Sequence, residues 1–289
     1  MPSPGDAGLL IVDGRRIDYR ESGDGPPVLF VPGSFSAPAA WLGLWRWLPQ
    51  RYRLVATSLC GYGATEESRG LGDCGIEHET RVVAAVAGKI GAPVHLVGHS
   101  FGGVVALATA LAGAVEVLSI ATFEANPPTL IRGRGDGRRF AAMRRMSAAF
   151  ETAYHAGERD AAGRIIDYWG GAGSFAAMPE PVREICREAA FANVLDWHTA
   201  YGFEAGMADY GRLTAPALVV RGADANPAMV EITEALVAGL PNVRAAVIDG
   251  AGHFLITTHA KHCGELLAGF LDEVAGSANE PRMPDDGAA

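Results

Sequence analysis

The feature that most constrains the fold is a serine between two glycines, where a strand pattern gives way to a helix pattern. Gly98, Ser100 and Gly102 form a Gly-x-Ser-x-Gly motif. The segment before it, 94–97, is short and apolar, and the segment after it, 104–111, has helical length without a helix breaker. In this setting the motif is typical of a nucleophile elbow, a sharp turn in which glycines remove clashing Cβ atoms and the serine Oγ is accessible. The sequence therefore predicts that Ser100 is a catalytic nucleophile.

Strand and helix patterns alternate along most of the chain. Apolar, β-prone segments predict strands at 9–13, 17–20, 28–31, 52–57, 94–97, 115–121, 217–220 and 243–248. Helical spacing of apolar residues predicts helices between several of them, including 39–48 and 77–90. Strands that alternate with helices indicate an α/β fold, with a mostly parallel, doubly wound sheet of about eight strands.

One long segment, 127–212, interrupts this alternation with helical patterns and no convincing strand. It is expected to be a helical cap, inserted over the sheet edge where such folds bind ligands. The predicted division is a core of residues 1–126 and 213–275, the cap at 127–212, and a flexible tail at 276–289. More than half of the cap's aromatic residues are expected to form its own core; they are Phe140, Phe150, Tyr154, Tyr168, Trp169, Phe175, Phe191, Trp197, Tyr201 and Phe203.

Composition excludes several classes of partner. The 289 residues carry a formal net charge of −9, which argues against nucleic acid or an anionic membrane as a partner. No stretch approaches the roughly 18 apolar residues of a membrane span. The first residues lack the basic and apolar regions of a signal peptide, so a cytoplasmic location is expected. The four cysteines are scattered without a Cys-x-x-Cys pair, which suits reduced thiols and no metal site.

A serine hydroxyl needs a base within hydrogen-bonding distance, and His253 is the best candidate. It lies in a glycine-rich loop directly after the last predicted strand, and loops at that edge of a parallel sheet point towards the elbow. His99 is the direct neighbour of Ser100 and points elsewhere, while His95 lies within a strand. The remaining histidines fall in helical patterns: His78, His155, His198, His259 and His262. A structural role for His253 stays open.

With these residues in view, the chain resembles an α/β-hydrolase with a helical cap, of the epoxide-hydrolase-like layout, over nearly its whole length outside the tail. The order of Ser100, an acid and His253 is that family's order. Residues 31–35 (Val-Pro-Gly-Ser-Phe) stand where the family usually has a His-Gly oxyanion loop, with proline in place of the histidine. The resemblance implies an oxyanion hole formed by the backbone N–H groups of Ser34 and Phe101. Ser34 as an ordinary turn serine stays open.

The acid departs from the common family pattern. Relatives usually carry it in a Gly-x-x-Asp stretch after the penultimate strand, but here Ala225 fills that place and Asp224 comes one residue early. Glu124 follows the preceding strand, an arrangement similar to haloalkane dehalogenases and to the lactonases that open zearalenone. The resemblance therefore implies that Glu124 is the triad acid. Asp224 and Asp249 stay open as alternatives, as does a capping role for Glu124.

The resulting hypothesis is a serine hydrolase that cleaves a carboxylic ester or lactone through an acyl-enzyme, with a Ser-His-Glu triad. A serine at the elbow argues against dehalogenase or epoxide hydrolase chemistry, which in this family uses an aspartate. No dinucleotide or phosphate-binding fingerprint is present, so no cofactor is expected. The expected partner is a small apolar ester or lactone, and a homodimer is left open. The alternatives are a C–C bond hydrolase, a cofactor-free oxygenase or lyase with His253 as base, and a small-molecule receptor without turnover.

Overall fold

A computed structural model describes residues 5–279 of the chain. In this range eight strands form a single sheet. They are β1 (Asp6–Val12), β2 (Arg15–Ser22), β3 (Pro27–Val31), β4 (Arg53–Thr57), β5 (Val94–His99), β6 (Val117–Phe123), β7 (Ala217–Gly222) and β8 (Val243–Ile248). The order across the sheet is β1-β2-β4-β3-β5-β6-β7-β8. β1 and β2 pair antiparallel with each other, β2 pairs antiparallel with β4, and all pairs from β4 to β8 are parallel.

Helices cover the sheet and form the segment between β6 and β7. They are α1 (Leu42–Trp45), α2 (Glu77–Ile90), α3 (Phe101–Ala112), α4 (Arg138–His155), α5 (Gly163–Gly170), α6 (Ser174–Ala177), α7 (Glu180–Glu188), α8 (Ala190–Gly202), α9 (Met207–Tyr210), α10 (Pro227–Gly239), α11 (Leu255–Thr258) and α12 (Ala260–Asn279). Short 3-10 turns lie at Pro38–Trp41 and Pro128–Ile131. The predicted mostly parallel, doubly wound α/β fold is confirmed.

Strand β3, near the centre of the sheet, is apolar throughout because both faces of the sheet are buried there. On β3, Val28 and Phe30 pack on one side with Trp41 and the apolar face of α12. Leu29 and Val31 point to the opposite side and pack with α2 and α3. Side chains of a strand alternate between faces, so a strand covered on both sides reads as a continuous hydrophobic run rather than an alternating one.

The segment between β6 and β7 contains α4 to α9 and no strand among its described residues. We call residues 127–212 the cap. Its helices pack on the core through a shared apolar cluster that includes Phe150 and Trp169 of the cap and Ile232 and Leu236 of α10. The cap begins shortly after Glu124, which follows the carboxyl end of β6. The cap therefore lies over the edge of the sheet at which the parallel strands β3, β5 and β6 end.

Strand ends differ from the predicted bounds by up to three residues, and two helical segments also differ from the sequence prediction. The single helix predicted at 39–48 is a 3-10 turn, Pro38–Trp41, followed by the one-turn helix α1. The predicted tail at 276–289 begins too early, because α12 continues to Asn279. Gly276 lies within α12, since one glycine in a long helix costs only about 1 kcal/mol relative to alanine and does not end it. The rest of the predicted tail, 280–289, lies outside the described residues.

Buried His95 makes stability depend on pH. It lies on β5 at 5% exposure, with Nδ1 2.8 Å from Ser119 Oγ, and burial lowers its pKa from 6.5 to about 4. The unfolded chain therefore binds a proton in a range where the folded chain does not, and stability falls as the pH drops from 6.5 towards 4.

We expect the wild-type protein to lose about 2 kcal/mol more unfolding free energy between pH 7 and pH 4.5 than a His95→Gln variant. Urea unfolding at the two pH values measures this difference. His262→Gln, which replaces an exposed histidine, is the matched control and should behave like the wild type. Equal acid losses in the wild type and His95→Gln would contradict the assignment.

Candidate active site

Ser100 lies in the sharp turn between β5 and α3. Its backbone has φ of 53° and ψ of −126°, a conformation that L-residues rarely adopt. The flanking glycines are required by close packing. A Cβ on Gly98 would lie 2.5 Å from the Gly102 carbonyl oxygen, and one on Gly102 would lie 2.2 Å from the Pro32 carbonyl oxygen. The motif thus folds into the predicted elbow, with Ser100 Oγ at the carboxyl edge of the sheet.

His253 lies in the loop after β8 and contacts the serine directly. Its Nε2 is 3.0 Å from Ser100 Oγ, and its side chain is almost fully buried. His99 holds the loop that carries His253, since His99 Nε2 lies 2.9 Å from the His253 carbonyl oxygen. Burial, with a smaller effect of the neighbouring His253, lowers the pKa of His99 to about 3. His99 is therefore neutral and donates its one N–H to that carbonyl.

Glu124 completes a chain of hydrogen bonds. It follows β6 directly, and its Oε2 lies 2.8 Å from His253 Nδ1, while its Oε1 accepts a 2.8 Å hydrogen bond from the Gly222 N–H. The carboxylate is 1% exposed, and the residue has a φ of 49°. A carboxylate at Nδ1 keeps the proton on that nitrogen, which leaves Nε2 bare to accept the Ser100 hydroxyl proton.

The two alternative acids lie apart from this chain. Asp224 and Asp249 are both exposed. The backbone N–H of Asp224 donates to the Ala251 carbonyl, and among residues 5–279 no hydrogen bond joins either carboxylate to His253. The structure therefore brings Ser100, His253 and Glu124 together and leaves the other two acids outside.

The Ser34 loop packs tightly against the elbow. A Cβ on Gly33 would lie 2.9 Å from the Ser100 Cβ, so the backbone that precedes Ser34 touches the serine. Phe35, the next residue, has a φ of 58°. Phe101 is the first residue of α3, and the first N–H groups of a helix have no partner within the helix. The backbone N–H groups of Ser34 and Phe101 are thus donors from two segments that flank Ser100.

A cavity of about 170 Å³ opens onto Ser100 and His253, with the cap forming its roof. Its wall is mostly apolar, and the large side chains in it include Phe35, Ile165, Ile166, Trp169, Trp197 and Phe254. Trp169 stacks on the His253 ring with centroids 5.3 Å apart, so the cap contacts the imidazole directly. Of the cap's aromatic residues, Trp169 and Trp197 line this cavity, while others, such as Phe150, are buried in the cap's packing.

Sequence reasoning missed Asp196, a buried carboxylate in the wall of the same cavity. It accepts a 2.5 Å hydrogen bond from Ser34 Oγ, although the two residues are 162 positions apart. A charged residue within the apolar helix pattern of α8 was the available signal, since a carboxylate is almost never fully buried unless it is paired.

Other kinds of site find little support in the described chain. In residues 5–279 no group of three or more His, Cys, Asp or Glu side chains is arranged to hold a metal ion. The four cysteines are free. No helix within the same range has both the length and the apolar character needed to cross a membrane.

Comparison with curated proteins finds two partial relatives. The chain is 27% identical over 288 residues to polyketide synthase ThaQ of Burkholderia thailandensis, a match that covers 93% of this chain and 13% of the synthase. It is 33% identical over 111 residues to a 2-hydroxy-6-oxo-2,4-heptadienoate hydrolase of Pseudomonas putida, covering 36% of this chain and 38% of that enzyme. The chain thus matches well under half the length of either relative.

Comparison with solved structures confirms the fold. A thermophilic esterase from Thermogutta terrifontis superposes with a TM-score of 0.73 at 21% identity, over 93% of this chain and 99% of the esterase. The model of the alpha/beta hydrolase family matches residues 28–262, which include the elbow, the Glu124 turn and the His253 loop. On this match and this fold, the chain belongs to the alpha/beta hydrolase family.

Proposed function

We propose that the protein is a serine hydrolase that cleaves a carboxylic ester or lactone through an acyl-enzyme. The observation that carries the proposal is the continuous hydrogen-bond chain from Ser100 Oγ through His253 to Glu124, at the wall of an apolar cavity. A base that is itself oriented by a third group is the arrangement that activates a serine.

In the first half of the reaction, His253 Nε2 takes the Ser100 proton while Oγ attacks the substrate's carbonyl carbon. The carbonyl oxygen becomes an oxyanion and accepts hydrogen bonds from the Ser34 and Phe101 N–H groups. The carbon–oxygen bond of the ester then breaks, and His253 gives its proton to the leaving oxygen. Loss of one such oxyanion donor typically costs about 3–4 kcal/mol of transition-state stabilisation.

In the second half, water attacks the acyl carbon as His253 takes one of its protons. The Ser100–acyl bond breaks, His253 returns a proton to Oγ, and a carboxylic acid leaves. Throughout, Glu124 keeps the imidazole in one tautomer and stabilises the imidazolium. The Gly222 N–H helps to fix the orientation of the Glu124 carboxylate, because it donates to Oε1, the oxygen that His253 does not contact.

The cavity indicates a substrate with an apolar acyl or alcohol part. Aromatic side chains of the cap and the core form much of its wall, and burial of apolar surface contributes about 25 cal/mol per Å². Ser100 and His253 are at the wall and not at the protein surface, so the scissile carbonyl has to enter the cavity. Such a substrate is a small molecule and not a polymer.

A panel of p-nitrophenyl esters of increasing acyl length, together with aromatic and macrocyclic lactones, tests this proposal. We expect multiple turnovers with at least one member of the panel, a preference for apolar acyl groups, and one oxygen atom from labelled water in the acid product. Failure to turn over any ester or lactone would contradict the assignment.

Hydrolysis of a carbon–carbon bond is the second candidate. It is favoured by the partial match to the Pseudomonas putida hydrolase, named for 2-hydroxy-6-oxo-2,4-heptadienoate, which also has a carbonyl group next to the bond to be cleaved. Adding that compound to the panel separates the two: faster turnover of it than of every ester would favour this candidate. Oxygen uptake with non-hydrolytic products would favour an oxygenase or lyase, and tight binding without turnover would favour a receptor.

A further inference from the structure

One cap carboxylate joins two loops of the core. Asp196, on α8, accepts hydrogen bonds at Oδ2 from Ser34 Oγ at 2.5 Å and from Tyr62 Oη at 2.6 Å. At Oδ1 it accepts one from Arg69 Nη1 at 2.8 Å. Ser34 lies in the loop after β3, and Tyr62 and Arg69 both lie in the long loop between β4 and α2. Asp196 is only 2% exposed, so its carboxylate has lost its hydrogen bonds to water. The hydrogen bonds from these three side chains replace them.

One buried arginine provides the positive charge that faces Asp196 in this cluster. The Arg69 side chain is fully buried and also contacts Glu79 and Glu67, each at 2.8 Å. Burial raises the pKa of Asp196, whereas Arg69 and the Ser34 and Tyr62 hydroxyls act in the opposite direction. Arg69 also donates to the Cys60 carbonyl of the core. The cap carboxylate is therefore anchored to a fixed part of the core.

The loop that Asp196 holds is under strain and lies against the nucleophile. Phe35 has a positive φ, which for a bulky residue costs about 1–3 kcal/mol and persists only where surrounding contacts fix it. Gly33, on the other side of Ser34, is packed on the Ser100 Cβ. A shift of this loop would move the Ser34 N–H relative to Ser100, and a misplacement of 1 Å can cost up to about 100-fold in rate.

We propose that Asp196 is a positioning residue: it accepts a hydrogen bond from the Ser34 hydroxyl and so fixes the Ser34 N–H for the oxyanion. The packed position of the cap on the core thereby becomes part of the oxyanion hole. The inference rests on the proposed function, because it assumes that an oxyanion forms at Ser100. Asp196 acts through Ser34 and takes no proton in the reaction.

The test is a double-mutant cycle with Ser34→Ala and Asp196→Ala, using the fastest ester of the panel. Each single variant should lower kcat about tenfold with KM within about threefold, since the lost interaction serves the transition state. The double variant should be no more than about threefold slower than the slower single variant, because both changes break the same bond.

Two further variants separate positioning from structural damage. Ser34→Thr keeps the hydroxyl and should restore most of kcat. Asp167→Ala removes another cap carboxylate, which accepts a hydrogen bond from the Phe175 N–H within the cap, and it should leave kcat unchanged. Thermal unfolding of each variant checks that it is folded. If Asp196→Ala does not fold, the kcat values of Ser34→Ala and Ser34→Thr still test whether the Ser34 hydroxyl positions the oxyanion donor.

Three results would overturn the inference: a wild-type kcat in Ser34→Ala, no rescue in Ser34→Thr, or fully multiplicative effects of Ser34→Ala and Asp196→Ala. In each case, ester hydrolysis by the wild-type protein would still support the proposed function. A wild-type protein that hydrolyses no ester would instead overturn both.

Discussion

Replacing Ser100 with alanine is expected to lower kcat for ester hydrolysis by about 10⁴-fold or more, with little change in KM. The variant keeps the oxyanion donors and the cavity, so it still binds substrate, but no acyl-enzyme can form. The Ser100 side chain contacts His253 and is 8% exposed, so its removal should leave the fold intact. Steady-state kinetics with the best panel substrate, alongside thermal unfolding, measures both effects.

Ser68→Ala is the matched control for this loss. Ser68 also contacts a histidine, since its Oγ lies 2.9 Å from His78 Nδ1, and His78 Nε2 lies 3.1 Å from Asp73. This second serine–histidine–carboxylate chain lies outside the cavity, and its serine is not in an elbow. We expect the Ser68→Ala variant to retain wild-type turnover. Activity that survives in Ser100→Ala and disappears in Ser68→Ala would contradict the assignment of the nucleophile.

Removal of the Glu124 carboxylate is expected to lower kcat by about 10³- to 10⁴-fold in Glu124→Ala. Without it, nothing holds the proton on His253 Nδ1, and the imidazolium formed in each half-reaction is left without its countercharge. Glu124→Asp should be intermediate, because the shorter side chain cannot reach both His253 Nδ1 and the Gly222 N–H at the present distances of 2.8 Å. The same kinetic assay measures these variants.

Asp224→Ala is the matched control, because it removes the carboxylate nearest to the position that relatives usually use. Asp224 is exposed and is expected to change kcat by less than about twofold, as surface substitutions away from a site usually do. A large loss in Asp224→Ala, together with near-normal turnover in Glu124→Ala, would transfer the role of the acid to Asp224.

The sequence was most informative where backbone geometry demands particular residues. Gly98 and Gly102 cannot carry a Cβ in the observed turn, so the elbow requires a Gly-x-Ser-x-Gly motif that can be recognised in the sequence. His253 could be selected because a glycine-rich loop follows the last strand. The sheet could be predicted for a related reason, since a strand buried on both faces reads as a continuous apolar run, as β3 does.

Glu124 is a more instructive case. A carboxylate after β6 was visible in the sequence, but its contact with a histidine 129 positions later depends on the order of strands across the sheet. Because β6 lies between β5 and β7, the Glu124 turn is beside both the elbow and Gly222. The resemblance supplied that order before the structure did; residue patterns alone left three acids open.

Asp196 and His99 could not be predicted, for a different physical reason. Their roles come from contacts between segments 162 and 154 positions apart, which no local periodicity records. The way the cap helices pack decides which polar side chains of α8 face the Ser34 loop. Sequence patterns predict that α8 is a helix, but not which core loop its carboxylate meets.

The most direct test of the central claim is to trap the covalent intermediate. The wild-type protein is mixed with a slowly deacylating p-nitrophenyl ester, quenched in acid within the burst phase and analysed by intact and peptide mass spectrometry. The account predicts one added acyl group per chain, located on the peptide that contains Ser100 and missing from Ser100→Ala. An acyl group on another residue, or full turnover in Ser100→Ala, would contradict it.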